Sequence, residues 1–269
     1  MEKIKQFEQF LEENSLTNNT ITSYLAAVNQ FQSFYKNFTM NTVARYKSWL
    51  AKNYKPVTVN LRLQGINKYL AFVKKSHIKQ KYVKVSQRQY LDNVISNDKY
   101  KFLKNELKNN GYTKWYFLVW LLATTGARIS EMMQMTPEHI RIGYMDVRSK
   151  GNKIRRIYIP KRVRKAIQPW IRTQRLSWGH IFTRFNGNII TTRWISAQLK
   201  RFAIQYGIDK NVVYPHSFRH LYAKNFLQKC ENIALLADLM GHARIETTRI
   251  YLRNTTSEQQ MIVDKIVTW

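Results

Sequence analysis

Two arginines, two histidines and a tyrosine in this chain have the chemistry to bind a phosphodiester and attack it. His216 and Arg219 lie in HSFRH, His242 in LMGH, Tyr251 ends the run TTRIY, and Arg128 lies upstream in TTGARISE. A guanidinium is planar and permanently charged, so it suits a phosphate, and nearby cations favour the nucleophilic form of a phenol. His216 and Arg219 share one face near a predicted helix start, where an anion is favoured. The residues therefore predict attack on a phosphodiester by a tyrosine.

Each of these residues also has an ordinary explanation when it is taken alone. The chain has 16 tyrosines, and most tyrosines in a protein pack as aromatic side chains. His216 and His220 have the spacing of half a zinc site, but no glutamate lies between them and no third ligand is nearby. Arg128 and Glu131 have the spacing of a surface ion pair, which contributes little to stability. The prediction therefore depends on the combination of residues.

A lysine at the tip of a predicted hairpin is a further candidate. Two short alternating runs, YMDVRS and KIRRIYIP, flank Lys150-Gly151-Asn152, and Gly-Asn between two such runs indicates a β-hairpin. An exposed lysine usually serves solubility, but a flexible tip can also deliver an ammonium to a leaving oxygen. Lys150 or its neighbour Lys153 can fill that role, and the sequence leaves the choice open.

The charge of the chain indicates a polyanionic partner. Lysine and arginine number 45 against 16 aspartates and glutamates, which gives a formal net charge of +29. Such an excess repels itself unless a polyanion is bound, so nucleic acid is the expected partner. A membrane surface is the alternative, but the basic residues are not gathered beside one apolar helix. The longest apolar run, 115–123, is far shorter than the roughly 20 residues that span a bilayer.

The N-terminus and the cysteine content bear on the compartment. The opening segment MEKIKQFEQF lacks the apolar core of a signal peptide. The single cysteine, Cys230, cannot form an internal disulfide, and its place in the pattern FLQKCENIALL predicts a small buried residue of a helix. We therefore expect a cytoplasmic protein, which a nucleic-acid ligand would place at the nucleoid.

Hydrophobic periodicity predicts a mainly α protein (α+β) with one small antiparallel sheet. Apolar residues recur at helical spacing in four segments of the first third, with Thr20 and Thr58 as the expected N-caps of the second and fourth helices. Such helices bury their apolar faces by packing together, so residues 1–78 are expected to form a bundle. Residues 79–92 are basic and are expected to be an interdomain linker, or alternatively a solvated strand or loop within one domain. Residues 93–269 are expected to form a mostly helical domain that contains the hairpin.

The order and spacing of the motifs resemble the tyrosine recombinase (lambda integrase) family, and its simple Xer-type members most closely. The shared pattern is an arginine in TGARISE, a hairpin lysine about twenty residues later, HxxRH, GH, and a tyrosine nine residues after the last histidine. The segments NTITSYLAAVNQFQSFY and KPVTVNLRLQGINKYLAFV resemble the helical core-binding, SAM-like DNA-binding domain of that family. The resemblance covers nearly the whole chain and implies a C-terminal catalytic domain after the core-binding domain.

The resemblance also implies a role for each candidate residue. The implied catalytic residues are Arg128, Lys150, His216, Arg219, His242 and Tyr251, and the implied supporting residues are Glu131 and His220. The tyrosine is the nucleophile, both arginines bind the phosphate, the histidine of HxxR accepts a proton, and that of GH bonds the phosphate. The lysine protonates the leaving 5′ oxygen. Two departures from the family are Ala127, where a bulkier apolar residue is common, and the arginine-rich hairpin.

The implied reaction is site-specific DNA recombination or integration through a 3′-phosphotyrosyl intermediate, as carried out by enzymes of mobile elements. One phosphoester replaces another, so no ATP is needed. Two arginines and two imidazoles can stabilise the charge that develops on the phosphate without a metal or another cofactor. Two other activities stay open, namely a non-catalytic DNA-binding protein on the same scaffold and a type IB topoisomerase that uses the same chemistry.

The implied partners are double-stranded DNA and further copies of the chain. Phosphate contacts would supply most of the DNA affinity and make it steeply salt-dependent. Arg193, Lys200 and Arg201, in a helix predicted at 193–206, are the expected DNA contacts. The amphipathic tail 257–269 is implied to dock on a neighbouring protomer in a tetrameric synapse, although packing on its own domain stays open.

Overall fold

The structure, a computed structural model, describes residues 2–85, 93–148, 154–176, 178–184, 187–242, 244–252 and 256–267. The chain divides into two compact units, Met1–Gln87 and Arg88–Trp269. Helices form most of both units, and the sheet found in the described part is a two-stranded antiparallel hairpin. This confirms the mainly α fold class with a small sheet. Among the described helices, none is long and apolar enough to cross a membrane.

The first unit is a bundle of four helices that ends in a short 3₁₀ turn. The helices are α1 (Glu2–Glu13), α2 (Asn18–Phe34), α3 (Met40–Asn53) and α4 (Pro56–Phe72), and the turn is Ser76–Ile78. Their apolar faces meet in one core, whose fully buried members include Phe7, Leu11, Phe31, Tyr46, Leu50, Leu63, Ile66 and Leu70. The four helices thus follow the apolar periodicity of the sequence.

The starts of two helices differ from the sequence predictions. The N-cap of α2 is Thr17, and the helix begins at Asn18, so Thr20 lies inside the first turn. α4 begins at Pro56, so Thr58 also lies inside its helix. Proline has a fixed φ and no amide hydrogen, which suits the first position of a helix. That preference outweighs the capping preference of a threonine two residues later.

Two asparagines hold the chain that follows α4. Asn67 exchanges two hydrogen bonds with the backbone of Gln80, at 2.9 and 3.0 Å, and Asn60 exchanges two with Val83, at 2.8 and 2.9 Å. A side-chain amide offers a donor and an acceptor as a peptide group does, so each pair resembles a rung of a sheet. The segment predicted as a linker therefore begins as a stretch bound to the first unit. Residues 86–92 lie outside the described residues.

The second unit is built from helices around one hairpin. Its elements are α5 (Asn97–Asn109), α6 (Thr113–Thr125), α7 (Ile129–Met132), α8 (Pro137–Ile142), β1 (Tyr144–Arg148), β2 (Ile154–Tyr158), α9 (Lys161–Thr173), α10 (Thr192–Gln205), α11 (Pro215–Lys229), α12 (Ile233–Met240), α13 (Glu246–Arg249), a 3₁₀ turn (Ile250–Leu252) and α14 (Thr256–Ile266). α6 is buried along nearly its whole length. A helix that is apolar on all sides lies in the interior, so α6 is the central element of this unit.

Some helices of the second unit were not predicted. α9 buries Val163, Ile167 and Ile171, which recur every four residues, but many basic residues and the interior Pro169 obscure this pattern. α8 was also missed, because Pro137, its first residue, suggests the end of a helix when the sequence is taken alone. α7, which precedes it, has only four residues.

The hairpin places alternate side chains on opposite faces. β1 and β2 pair antiparallel along their full lengths, as the alternating pattern predicts. Arg155 and Ile157 of β2 are buried, whereas Arg156 between them is exposed. The tip with Lys150 and Lys153 lies outside the described residues.

Two local predictions concern single residues near turns. Cys230 was expected to be a buried residue of a helix, but it is exposed at the C-terminal end of α11, just before the short connection to α12. That prediction was wrong because the pattern FLQKCENIALL spans two helices and not one. Asn186-Gly187 also has the sequence of a tight turn. Asn186 lies outside the described residues, and Gly187 has a φ of 80°, as turn glycines often do.

The close packing of α4 against α2 depends on Gly65. A Cβ added at Gly65 would lie 3.0 Å from the Cβ of Ala27 and 3.0 Å from the Cα of Tyr24. Both neighbours belong to the buried side of α2, where protein interiors do not yield easily. We therefore expect Gly65→Val to lower the free energy of unfolding of the first unit by about 1–3 kcal/mol.

Thermal or denaturant unfolding of the full chain measures this effect. Ala26→Val is the matched control, because Ala26 lies on the exposed side of α2, and we expect it to change the free energy by less than about 0.5 kcal/mol. Equal stability of Gly65→Val and the wild type would contradict the close packing of the two helices.

Candidate active site

Three arginines from three elements bind successive backbone carbonyls at the end of α12. The pairs are Arg155 with Leu239 (2.8 Å), Arg219 with Met240 (2.6 Å) and Arg128 with Gly241 (3.2 Å). The last carbonyls of a helix have no partner within the helix and form the negative end of its dipole. They therefore hold together three guanidiniums that would otherwise repel one another.

Arg219 connects most of the predicted catalytic groups. It is 3 % exposed and donates hydrogen bonds to the carbonyl of Gly126 and, at 3.1 Å, to Nε2 of His242. It also bonds the hydroxyl of Tyr251. Burial and the charge of Arg128 lower the pKa of Arg219 to about 10, so the guanidinium stays charged at neutral pH.

Two glycines shape the backbone around that guanidinium. α6 ends at Gly126 and α12 ends at Gly241, with φ angles of 62° and 64°. Glycine adopts this left-handed conformation readily, which ends a helix and turns the chain away from its axis. Gly126 also has no space for a side chain, because a Cβ would lie 2.5 Å from the ring of Tyr222. The two turns carry the residues that follow them, Arg128 and His242, into the site.

Glu131 joins two of the three arginines. Its Oε1 accepts a hydrogen bond from Nη1 of Arg128 at 3.0 Å, and its Oε2 accepts one from Nη2 of Arg155 at 2.6 Å. Burial alone would raise the pKa of this carboxyl group, but Arg155 and the bonds from Arg128 lower it. The side chains of Arg155 and Glu131 are 7 % and 13 % exposed. The predicted supporting residue is therefore part of a buried ion-pair network and not of a surface ion pair.

The predicted nucleophile, Tyr251, is 6 % exposed. Its ring packs beside apolar side chains of α11 and α12 and lies 5.2 Å from the ring of His220 and 6.1 Å from that of His242. Burial raises the pKa of Tyr251, and the charge and hydrogen bond of Arg219 oppose this rise only in part. The phenol is therefore neutral at physiological pH in this state.

The two histidines beside Tyr251 are also neutral. Nδ1 of His242 lies 2.8 Å from the hydroxyl of Thr248. Burial, together with the charge of Arg219, lowers the pKa of His242 to about 4. Burial lowers the pKa of His220 to about 4 as well. Among the described residues, the buried Nδ1 of His220 has no hydrogen-bond partner.

His216 and the hairpin lysine complete the set of predicted catalytic residues. His216 lies in the first turn of α11 and is exposed. Desolvation by its surroundings, together with the charges of Arg219 and Arg128, lowers its pKa. Lys150 and its alternative Lys153 lie outside the described residues. Hydrogen bonds thus link Arg219 to His242 and Tyr251. The charge of Arg128 lowers the pKa values of His216, His242 and Tyr251.

The predicted DNA contacts lie on α10. Arg193, Lys200 and Arg201 are all exposed there, and Ile195 and Leu199 of the same helix are buried. A search of the described residues finds no group of three or more His, Cys, Asp or Glu that could hold a metal ion.

Sequence reasoning missed two residues of the site. Arg155 shares the inward face of β2 with Ile157, and a charged side chain on that face requires a buried partner. The alternation of the strand therefore contained a signal for Arg155. Thr248 follows the exposed Thr247, and nothing in the sequence distinguishes the two threonines.

The family to which the chain belongs follows from this part of the molecule. The sequence profile of the phage integrase family matches residues 93–258, the range that contains every residue of the site described above. The chain belongs to the phage integrase family. It is a tyrosine recombinase, an enzyme of site-specific recombination.

Relatives match the chain over nearly its whole length. Tyrosine recombinase XerA of Pyrococcus furiosus is 26 % identical, and the match covers 98 % of this chain and 93 % of XerA. Tyrosine recombinase XerD of Halalkalibacterium halodurans is 25 % identical, with 96 % and 94 % covered. A solved structure of a lambda integrase tetramer bound to a Holliday junction shares the fold, with a TM-score of 0.73 at 14 % identity over 93 % of this chain and 76 % of that one.

We expect Arg155→Met to destabilise this recombinase strongly. The change removes the partner of a buried carboxylate and a donor to the end of α12, and breaking a buried pair on one side costs about 3–5 kcal/mol. Denaturant unfolding measures the loss. The double variant Arg155→Met/Glu131→Gln should lose less free energy of unfolding than the sum of the losses in the two single variants, because no unpaired carboxylate is left buried.

Arg156→Met is the matched control on the outer face of the same strand. Arg156 pairs with Asp146, and their side chains are 44 % and 42 % exposed, so solvent screens the pair and little stability should be lost. A similar loss in the two variants would show that Arg155 has no special structural role.

The low pKa of His220 predicts how stability depends on pH. An unfolded histidine binds a proton near pH 6.5, whereas folded His220 does so only near pH 4. The unfolded state therefore takes up more protons between these values, so stability falls as the pH is lowered through this window. His220→Phe removes this contribution. When the pH is lowered from 7.5 to 5, the free energy of unfolding of the variant should therefore fall by about 1–2 kcal/mol less than that of the wild type.

Unfolding curves of both proteins across that pH range make the comparison. At pH 7.5 the variant should be at least as stable as the wild type, because it no longer buries an unpaired nitrogen. Identical pH dependence in the two proteins would mean that His220 titrates normally in the folded state.

Proposed function

We propose that Tyr251 is the nucleophile that cleaves a strand of duplex DNA and forms a 3′-phosphotyrosyl bond. The observation that carries this proposal is the pair of contacts that Arg219 makes, to the hydroxyl of Tyr251 and to Nε2 of His242. A phosphate bound at Arg219 would therefore lie beside both the attacking oxygen and a second hydrogen-bonding group. The groups are drawn from α11, the turn after α12 and the turn after α13.

Arg128 and Arg219 would stabilise the charge that develops on the non-bridging oxygens. A guanidinium has five N–H donors, so each arginine can keep its carbonyl and still bind the phosphate. Their positions are set before DNA arrives by the backbone and, for Arg128, by Glu131. Such preorganised donors typically contribute on the order of 10²–10³ in rate each.

Proton transfers would then be divided between two groups. The phenol must lose its proton as its oxygen attacks phosphorus, and exposed His216 is the proposed acceptor, because its lowered pKa keeps it neutral and able to accept. The P–O bond to the 5′ oxygen breaks, and Lys150 or Lys153 would protonate that oxygen. One phosphoester is exchanged for another, so the reverse attack by a 5′ hydroxyl rejoins the DNA without ATP.

The remaining surface would bind DNA and further copies of the enzyme. Residues 1–78 are the proposed core-binding domain and 93–269 the proposed catalytic domain, and the formal net charge of +29 favours phosphate contacts throughout. Exposed Arg193, Lys200 and Arg201 of α10 are proposed phosphate or base contacts.

Assembly on DNA would use the C-terminal helix. Met261, Val263 and Ile266 of α14 are apolar and 65 %, 50 % and 61 % exposed, so they are available to a second protomer. The related lambda integrase has been solved as a tetramer on a Holliday junction. We propose a tetramer on DNA in which residues 257–269 dock on the neighbouring copy.

The test is covalent capture of DNA. We expect the wild type to retain DNA under denaturing conditions, and sequencing of that DNA gives the target site. A nicked duplex of this sequence, which loses the short 5′-hydroxyl fragment after cleavage, should then trap the wild type on the strand labelled at its 5′ end. Tyr251→Phe should bind the same duplex with similar affinity and form no adduct, because it lacks only the attacking oxygen.

Other outcomes would contradict the proposal. If the wild type binds duplex DNA tightly but never becomes attached to it, the chain is a non-catalytic DNA-binding protein. If Tyr251→Phe still forms the adduct, another residue is the nucleophile. Relaxation of supercoiled DNA without sequence preference would indicate a topoisomerase instead.

A further inference from the structure

A buried hydroxyl lies behind the histidine that faces Arg219. Thr248 of α13 is fully buried, and its Oγ1 lies 2.8 Å from Nδ1 of His242. The other ring nitrogen, Nε2, lies 3.1 Å from Nη2 of Arg219. The imidazole of His242 is therefore held at both nitrogens, by a cationic donor on one side and by a hydroxyl on the other.

These two partners fix the position of the ring proton in the DNA-free protein. A guanidinium donates hydrogen bonds and cannot accept them, so Nε2 must be the nitrogen that carries the lone pair. The neutral ring then carries its proton on Nδ1, which donates to the hydroxyl oxygen of Thr248. The low pKa of His242 agrees with a neutral ring.

The proposed reaction requires the opposite arrangement, and the inference rests on that proposed function. Phosphate oxygens accept hydrogen bonds, so His242 can bond the phosphate only with a proton on Nε2. If the ring stays neutral, Nδ1 then carries the lone pair and requires a donor. A hydroxyl can both accept and donate, so Thr248 can serve either arrangement by rotating its O–H bond.

We infer that Thr248 is a positioning residue that lets His242 exchange tautomers, from accepting a hydrogen bond from Arg219 to donating one to the scissile phosphate. The ring gives up its Nδ1 proton to solvent and takes one from solvent at Nε2, so its charge is the same before and after. Arg219 turns the N–H that it had donated to His242 toward the phosphate. The hydroxyl of Thr248 changes from acceptor to donor.

Few side chains can fill this position. A carboxylate or a backbone carbonyl only accepts and would hold the proton on Nδ1, whereas an ammonium or an amide N–H only donates and would hold it on Nε2. Valine has the shape of threonine but neither property. Serine keeps the hydroxyl and is the conservative replacement for Thr248.

The tautomer of His242 can be read directly in the DNA-free protein. We expect ¹⁵N NMR of protein labelled at its six histidines to show a protonated Nδ1 and an unprotonated Nε2 for His242, assigned from the signals that His242→Gln removes. Thr248→Ser should give the same pattern. In Thr248→Val the donation from Arg219 to Nε2 remains, so Nδ1 should keep its proton, but the N–H loses its acceptor and its signal should shift away from the wild-type position. A wild-type spectrum with the proton on Nε2 would overturn the inference.

Cleavage of the nicked duplex gives the second readout. We expect Thr248→Val to lower the rate about tenfold, as for one lost hydrogen bond, and Thr248→Ser to stay within a few-fold of the wild type. In a His242→Gln background, Thr248→Val should cause no further loss, because the hydroxyl acts through the imidazole. Thr247→Val is the matched control, since Thr247 is exposed in the same helix, and it should leave the rate unchanged.

The outcomes separate this inference from the proposed function. If no adduct forms even in the wild type, the proposed function fails, whereas the NMR result still reports which nitrogen of His242 carries the proton and whether Thr248 accepts its hydrogen bond. If adducts form normally and Thr248→Val cleaves at the wild-type rate, the tautomer exchange is wrong and the assignment of Tyr251 stands.

Discussion

The site depends on one interaction, the binding of three guanidiniums to the successive carbonyls that end α12. Arg128, Arg155 and Arg219 come from different elements, and like charges at such close range are costly in a protein interior. The carbonyls supply negative potential in the absence of DNA, and Glu131 adds a full negative charge between two of the arginines. The cationic cluster can therefore fold before its anionic substrate binds.

Burial affects the members of this cluster in different ways. The arginines remain charged, since even the lowered pKa of Arg219 is near 10. Tyr251 and His242 are held in their neutral forms, because the pKa of the phenol is raised and that of the imidazole is lowered. The DNA-free site thus has cationic arginines around the uncharged side chains of Tyr251 and His242. A phosphate would change this balance, because its negative charge offsets the cations and accepts the hydrogen bonds that now end on carbonyls and on His242.

The sequence predicted the residue types of the site but not the contacts that assemble them. Three motifs, HSFRH, LMGH and TTRIY, identified the candidate histidines, Arg219 and Tyr251. The apolar periodicity predicted most of the helices that position them. The contact between Arg128 and Gly241 joins residues 113 positions apart, and no local pattern specifies such a distance. The burial of Tyr251 has the same origin, since it depends on the packing of α11 against α12. The prediction for Cys230 was wrong because a single apolar pattern continues across the connection between α11 and α12.

Arg155 connects the hairpin to the end of α12. Its guanidinium bonds the carbonyl of Leu239 and the carboxylate of Glu131, and its backbone is part of β2. A displacement of β2 would therefore be transmitted through Arg155 to the carbonyl of Leu239, just before the turn that carries His242. The candidate lysines lie between β1 and β2 in the sequence, so a shift of β2 that moves Arg155 would also affect the carbonyl end of α12 that precedes His242.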